Sequence, residues 1–191
     1  MRKIVLFEHL SIDGFAAGPD GEMEWIYVDE GIFEVAGQMT DQSDMALYGR
    51  VTFELMDSYW PTAADQPGAS AHDLQHAAWY KGVPKLVLSR TLKSDRKDIT
   101  IIGDNVITQI KNLQRQPGKT ILMLGSPSAA HSLIRENLID EYWLFINPVI
   151  MGEGKPLFPD LKSRLSLKLV ESRGFNGGVV LLRYEKRPMD A

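Results

Sequence analysis

An α/β fold on a mixed sheet, with helices on both faces, is what the sequence predicts, and three observations carry the prediction. Short apolar runs at 3–7, 44–48, 85–88 and 121–124 alternate with segments whose apolar residues recur at helical spacing. Two of those runs end on a glycine that passes directly into a helical pattern, at Gly49 and at Gly125. Near the end of the chain, runs at 166–171 and 179–184 flank Phe175-Asn176-Gly177-Gly178, which is a hairpin pattern. Repeated strand and helix units closed by antiparallel strands give a mixed sheet covered on both sides.

A chain of 191 residues fits one well-packed domain, spanning 1–191. Apolar residues at 44% and charged residues at 24% are ordinary for a globular protein, and no repeat or low-complexity tract interrupts them. A net charge of -4 without a long Lys/Arg cluster argues against a nucleic-acid partner, while leaving room for a small anionic ligand at a local positive site. The absence of cysteine excludes disulfides and thiolate zinc sites. Residues 1–10 lack the apolar core of a signal peptide, and no run reaches the roughly 20 apolar residues of a membrane span. The expected setting is therefore the cytoplasm, with a small molecule as partner and no membrane.

In chain order, Lys3–Phe7 reads as a strand running into a long glycine-rich loop, residues 11–25, with two Asp-Gly pairs. Asp13-Gly14 is either an Asx turn or part of a lid over a site. Ile32, Phe33, Val35, Ala36 and Met39 share one face of a helix at 31–41. A strand at 44–48 ends at Gly49, and residues 58–69 read as a loop. His72 and His76, four apart on a helix ending near Lys81, could grip a metal. No third ligand stands at a fitting spacing, and a solvated helix face is the expected reading. The strand Lys85–Leu88 exits into Ser89-Arg90-Thr91. Branched runs around Gly103-Asp104 precede a helix that ends by Pro117-Gly118. Strand 121–124 turns at Gly125, with Ser126 as helix cap and Pro127 in the first turn. Residues 141–149 form an aromatic and branched strand.

Three of these strand exits carry phosphate chemistry. Gly49 opens a helix on which Arg50 and Thr52 can meet a phosphate. Ser89, Arg90 and Thr91 offer two hydroxyls and a guanidinium to a phosphate monoester. Gly125, Ser126 and Ser128 stand at a helix N-terminus whose free N–H groups favour an anion. Each has an ordinary structural reading as a cap, a turn or a surface arginine. Strands of one sheet bring their carboxyl ends to one edge, however, and two glycine turns with one Ser/Arg pocket are the inventory for a dinucleotide bearing a 2′-phosphate.

The ordered segments SIDGFAA, GRVTFE, PKLVLSRTL and GSPSAAHSLIRENLIDEYWLFINPVIMGEGKPLF together resemble the dihydrofolate reductase-like superfamily. The closer match is the branch containing the reductase domain of the riboflavin-pathway deaminase/reductase. The resemblance covers nearly the whole chain. It implies a three-layer α-β-α fold with a mixed central sheet, NADPH as cofactor and a homodimer. It places Gly49, Arg50 and Thr52 at the start of the cofactor-phosphate helix. Ser89, Arg90 and Thr91 fall at the 2′-phosphate, and Gly125, Ser126 and Ser128 at the pyrophosphate turn. Asp13, Gly14 and Phe15 fall in the lid beside the nicotinamide. Two departures stand out. Gly125-Ser126-Pro127 replaces a double glycine, and near the first-helix carboxylate that holds the pterin in dihydrofolate reductases this chain has Phe33-Glu34-Val35, of which only Glu34 could serve.

The resulting expectation is a hydride transfer from NADPH to a small pterin- or pyrimidine-type heterocycle. Asp13 and Glu34 are the candidate proton donors, and Trp25 and Phe53 are candidate stacking partners or else core aromatics. The rival expectation is a non-catalytic nucleotide-binding sensor or interaction subunit on the same fold.

Overall fold

A computed structural model describes residues 1–158, 160–162 and 164–187. The first apolar run becomes β1 (Ile4–Leu10), which continues past Phe7 through Glu8 and His9. Apolarity does not extend it; pairing does, because Glu8 and His9 sit in parallel register with Leu144 and Phe145 of β7 (Glu141–Ile146). The loop that follows contains β2 (Phe15–Ala17), paired antiparallel with β8 (Lys155–Pro156). Next come α1 (Glu30–Asp41), capped by Asp29 through the Ile32 N–H, and β3 (Ser43–Gly49).

Helix α2 (Arg50–Ala63) corrects the loop expected over 58–69: it runs on through Pro61 into its last turn. Trp60, just before that proline, stacks on His76 with ring centroids 3.9 Å apart, so packing against the next helix carries α2 through a segment rich in breakers. That neighbour is α3 (Ala71–Gly82), which opens on a capping box between Ser70 and Asp73. His72 and His76 do not form a solvated face. His76 is 6% exposed, and His72 stacks on Phe33 of α1 at 4.1 Å, so both rings are packing elements between helices.

The chain continues as β4 (Lys85–Leu88), β5 (Ile99–Ile102), α4 (Val106–Arg115), β6 (Thr120–Leu124) and α5 (Pro127–Arg135). After β7 and β8 it closes with the hairpin β9 (Leu167–Gly174) and β10 (Val180–Lys186), turning through positive-φ Gly177 and Gly178. The main sheet has eight strands in the order β5-β4-β3-β6-β1-β7-β10-β9. Strands β5 to β7 in that order are parallel, and β10 runs antiparallel to both neighbours.

Alternation along each strand divides the core in two. Val5, Phe7, Ala46, Tyr48 and Leu122 pack with Ile32, Val35, Phe53 and Tyr80 of α1, α2 and α3. Ile4, Leu6, Leu47, Ile121 and Met123 pack with Ile110, Ala130, Leu133 and Ile134 of α4 and α5. The result is the three-layer α-β-α arrangement, with every central strand sealed on both faces. Each Ile, Leu or Phe so enclosed contributes about 1.5–3 kcal/mol relative to exposure.

Candidate functional site

Adjacent strands β3 and β6 send their following helices to opposite faces of the sheet, α2 to one layer and α5 to the other. Such a divergence leaves a crevice beyond the carboxyl ends of the strands. A cleft of about 730 Å³ occupies that place, within the size range of small-molecule sites. Gly49, Arg50, Thr52, Ser89, Arg90, Thr91, Gly125, Ser126 and Ser128 all line it. The three strand exits singled out in the sequence thus converge on one groove.

The two glycine turns are joined to each other. Ser126 stands at the N-cap position of α5 without capping it; its Oγ accepts a 2.8 Å hydrogen bond from the Gly49 N–H. A Cβ on Gly49 would lie 3.3 Å from that of Ala129, so the close approach of α5 favours glycine there. Gly125 and Ser126 both hold positive φ, 60° and 70°. Ser126 therefore adopts the left-handed backbone that a second glycine would take, and the departure from a double glycine leaves the turn's concave shape in place. Two successive left-handed residues ahead of Pro127, with the free N–H groups of the α5 first turn behind them, make a surface suited to an anion.

At the β4 exit, the Ser89 Oγ accepts from the N–H groups of Thr91 and Leu92 at 3.1 and 2.9 Å, fixing the Ser89-Arg90-Thr91 turn. Gly103 lies against it; a Cβ there would be 3.0 Å from the Ser89 carbonyl oxygen. Arg90 is exposed and has no ion-pair partner among the described residues, so its guanidinium is free for a ligand. Arg50 is instead held by Glu54 at 2.7 Å across one helical turn.

The other four candidates lie elsewhere. The Asp13 carboxylate accepts from the N–H groups of Met151 and Gly152 at 3.1 and 2.8 Å, fastening its loop to the segment before β8. The Ser11 hydroxyl and these N–H groups hold its pKa down to about 2. Glu34 is exposed on α1, and Trp25 donates its indole N–H to the Glu22 carbonyl at 3.1 Å; neither lines the cleft. Phe53 is core, 5% exposed and packed near Tyr48.

In their place the cleft is lined by Phe7, Glu8 and His9 of β1, together with Ala17, Met23, Ile26 and Lys155. Glu8 is buried, 7% exposed, and this burial pushes its carboxyl up to about 8. Its Oε2 has no hydrogen-bond partner among the described residues. Burial likewise brings His9 down to about 4, and its ring stacks on Phe145 at 4.9 Å. The signal for these two was an adjacent pair of titratable residues between Phe7 and Leu10, immediately after an apolar run.

Among the described residues, no group of three or more His, Asp or Glu side chains is placed to hold a metal, and no helix is long and apolar enough to cross a membrane.

The chain and its fold are similar to those of several known proteins. The chain is 36% identical over 185 residues to the Bacillus subtilis (strain 168) protein YyaP, across 96% of this chain and 94% of that one. Its fold is similar to that of a pyrimidine reductase-like protein from Corynebacterium diphtheriae, with TM-score 0.69 and 15% identity over 98% of this chain and 92% of the other. It is also similar to a diaminohydroxyphosphoribosylaminopyrimidine deaminase/5-amino-6-(5-phosphoribosylamino)uracil reductase from Thermotoga maritima, with TM-score 0.67 and 16% identity over 97% of this chain and 57% of the other. Residues 2–181 match the RibD C-terminal domain, and the chain belongs to that family.

Proposed function

We propose that this protein is an NADPH-dependent oxidoreductase that reduces a small heterocycle of pyrimidine or pterin type. The observation that carries the reading is convergence: nine residues from three separate strand exits line one cleft at the point where α2 and α5 diverge. The residues present fit the cofactor. Gly125, Ser126 and Ser128 would take the pyrophosphate at the α5 N-terminus, with Arg50 and Thr52 facing it from α2. Arg90 with Ser89 and Thr91 would hold the 2′-phosphate, a bidentate task for a guanidinium with no competing partner. The cofactor supplies the hydride when bound. The protein's work is then to orient, to exclude water and to manage one proton. Phe7, Met23 and Ile26 add apolar lining on which a heterocycle could rest, beside the polar groups of Glu8 and His9.

The test is cofactor discrimination together with turnover. Arg90→Ala should weaken NADPH binding by at least tenfold, as read by fluorescence titration, while leaving NADH binding within about twofold. Wild-type protein should oxidise NADPH with some member of a panel of pterins and pyrimidines. Equal loss of both nucleotides in Arg90→Ala would remove that residue from the 2′-phosphate. Absence of NADPH binding to the wild type would sink the reductase reading.

A further inference from the structure

A reduction of a C=N or C=O bond needs a proton as well as a hydride, and neither Asp13 nor Glu34 reaches the cleft. We propose that the Glu8 carboxyl is the proton donor, meeting the substrate from the cleft wall at the carboxyl end of β1. The role rests on the reductase reading and adds to it the acid and the kind of substrate atom that the acid addresses.

Glu8 lies on a strand buried on both faces, yet its side chain lines the cleft. Oε2 is enclosed and unpartnered among the described residues, which leaves a buried polar atom available to a ligand. The carboxyl also borders the cofactor turn. A Cβ added at Gly125 would sit 3.9 Å from each of its two oxygens, in ordinary contact, so the carboxyl packs directly against that turn. The Glu8 carboxyl and the Gly125 turn are therefore neighbours on the same wall of the cleft.

Protonation follows from the same enclosure. The remaining titratable or charged side chains lining the cleft are His9, Arg50, Arg90 and Lys155. His9 is kept neutral by burial, Arg50 is engaged by Glu54, and no side chain hydrogen-bonds the Glu8 carboxyl among the described residues. Only the His9 backbone N–H favours its ionised form, and desolvation outweighs it. At neutral pH Glu8 is thus a neutral acid able to give up a proton, the state that general-acid catalysis needs.

The step balances as follows. A bound dihydronicotinamide would supply the hydride that forms a C–H bond at the carbon of a conjugated C=N or C=O bond of the substrate. The π pair moves to the nitrogen or oxygen, which takes the Glu8 proton. Oxidised cofactor, reduced substrate and a Glu8 carboxylate remain, and solvent reprotonates the carboxylate once product leaves. The substrate class this selects presents an imine nitrogen or carbonyl oxygen, unprotonated at neutral pH, toward Glu8.

The experiment compares wild type with Glu8→Gln, which keeps shape and hydrogen bonding but carries no acidic proton. Infrared spectra between pH 5 and pH 9.5 should show a protonated-carboxyl C=O band in the wild type that fades with a midpoint near 8 and is missing from Glu8→Gln. NADPH affinity should agree within twofold between the two proteins. With a panel member that turns over, Glu8→Gln should lose about 100-fold or more in kcat. The wild-type fall in kcat above about pH 8 should be absent from the residual activity. A Glu8→Gln kcat within threefold of wild type, or an infrared spectrum showing Glu8 ionised at pH 7, would overturn the proton-donor role while leaving the reductase reading intact. Failure of the wild type to bind NADPH would overturn both.

Discussion

Two carboxylates in and after β1, five residues apart in sequence, are driven in opposite directions by their surroundings. Asp13 sits in the open and collects hydrogen-bond donors, which hold it ionised; Glu8 is enclosed with an oxygen unmet, which holds it neutral. Sequence reading singled out Asp13 because Asp-Gly marks a turn locally, whereas the cleft lining holds Glu8 and not Asp13. The enclosure of Glu8 comes from β7, β6 and the helices above the strand ends, all distant in sequence. Glu8 also bears on stability. Its folded pKa of about 8 lies above the ordinary 4.5, so between those values the unfolded chain has released a proton that the folded chain retains. Folding is therefore disfavoured progressively as pH rises through that window, at up to about 1.4 kcal/mol per pH unit. Glu8→Gln should be the more stable protein at pH 8 and close to wild type at pH 4.5, as read by urea midpoints. Parallel stability curves for the two would show that Glu8 ionises freely in the folded state.

Helices and turns show where periodicity suffices and where it fails. The strands at 44–48, 85–88 and 121–124 and the closing hairpin were legible because short apolar runs bounded by glycine, proline or serine leave little choice of structure. The last turn of α2 was not. Pro61 and the small polar residues after it argue for a loop, and contacts with α3, among them the stacking of Trp60 on His76 and the Tyr59–Asp73 hydrogen bond, decide otherwise. The same seam hides the two histidines. Spacing four apart shows that they share a helix face but not that α1 and α2 cover it. Both ring nitrogens of His76 are buried without partners among the described residues, and burial lowers its pKa to about 3. The unfolded chain takes up a proton near 6.5 that the folded chain refuses, so this seam loses stability as pH falls below 6.5. The slope reaches about 1.4 kcal/mol per unit. His76→Leu, which removes the orphaned nitrogens at similar volume, should flatten the fall in urea midpoint between pH 6.5 and pH 5. An unchanged slope in that variant would mean that His76 is solvated enough to protonate in place.

At the scale of the whole molecule, the cleft exists because two helical layers part company over neighbouring strands. No single segment encodes it. Gly49, Ser89 and Gly125 were legible as turns from their own neighbours, but their meeting depends on β4, β3 and β6 lying side by side with their carboxyl ends at one edge. A ligand seated there touches α2 from one layer and α5 from the other, whose starts are joined by the hydrogen bond from the Gly49 N–H to Ser126 Oγ. NADPH should therefore act as a strut across the layers rather than as a local plug. Hydrogen exchange should slow together at 50–52, 89–91 and 125–128 on its addition. At one hundred times its dissociation constant the fold should gain about 2.7 kcal/mol, a rise in Tm of roughly 5–10 °C for a chain of this length. Protection confined to one of the three segments would mean that the groove is shared by geometry without being filled by one dinucleotide, because a ligand spanning pyrophosphate and 2′-phosphate sites has to restrain all three at once.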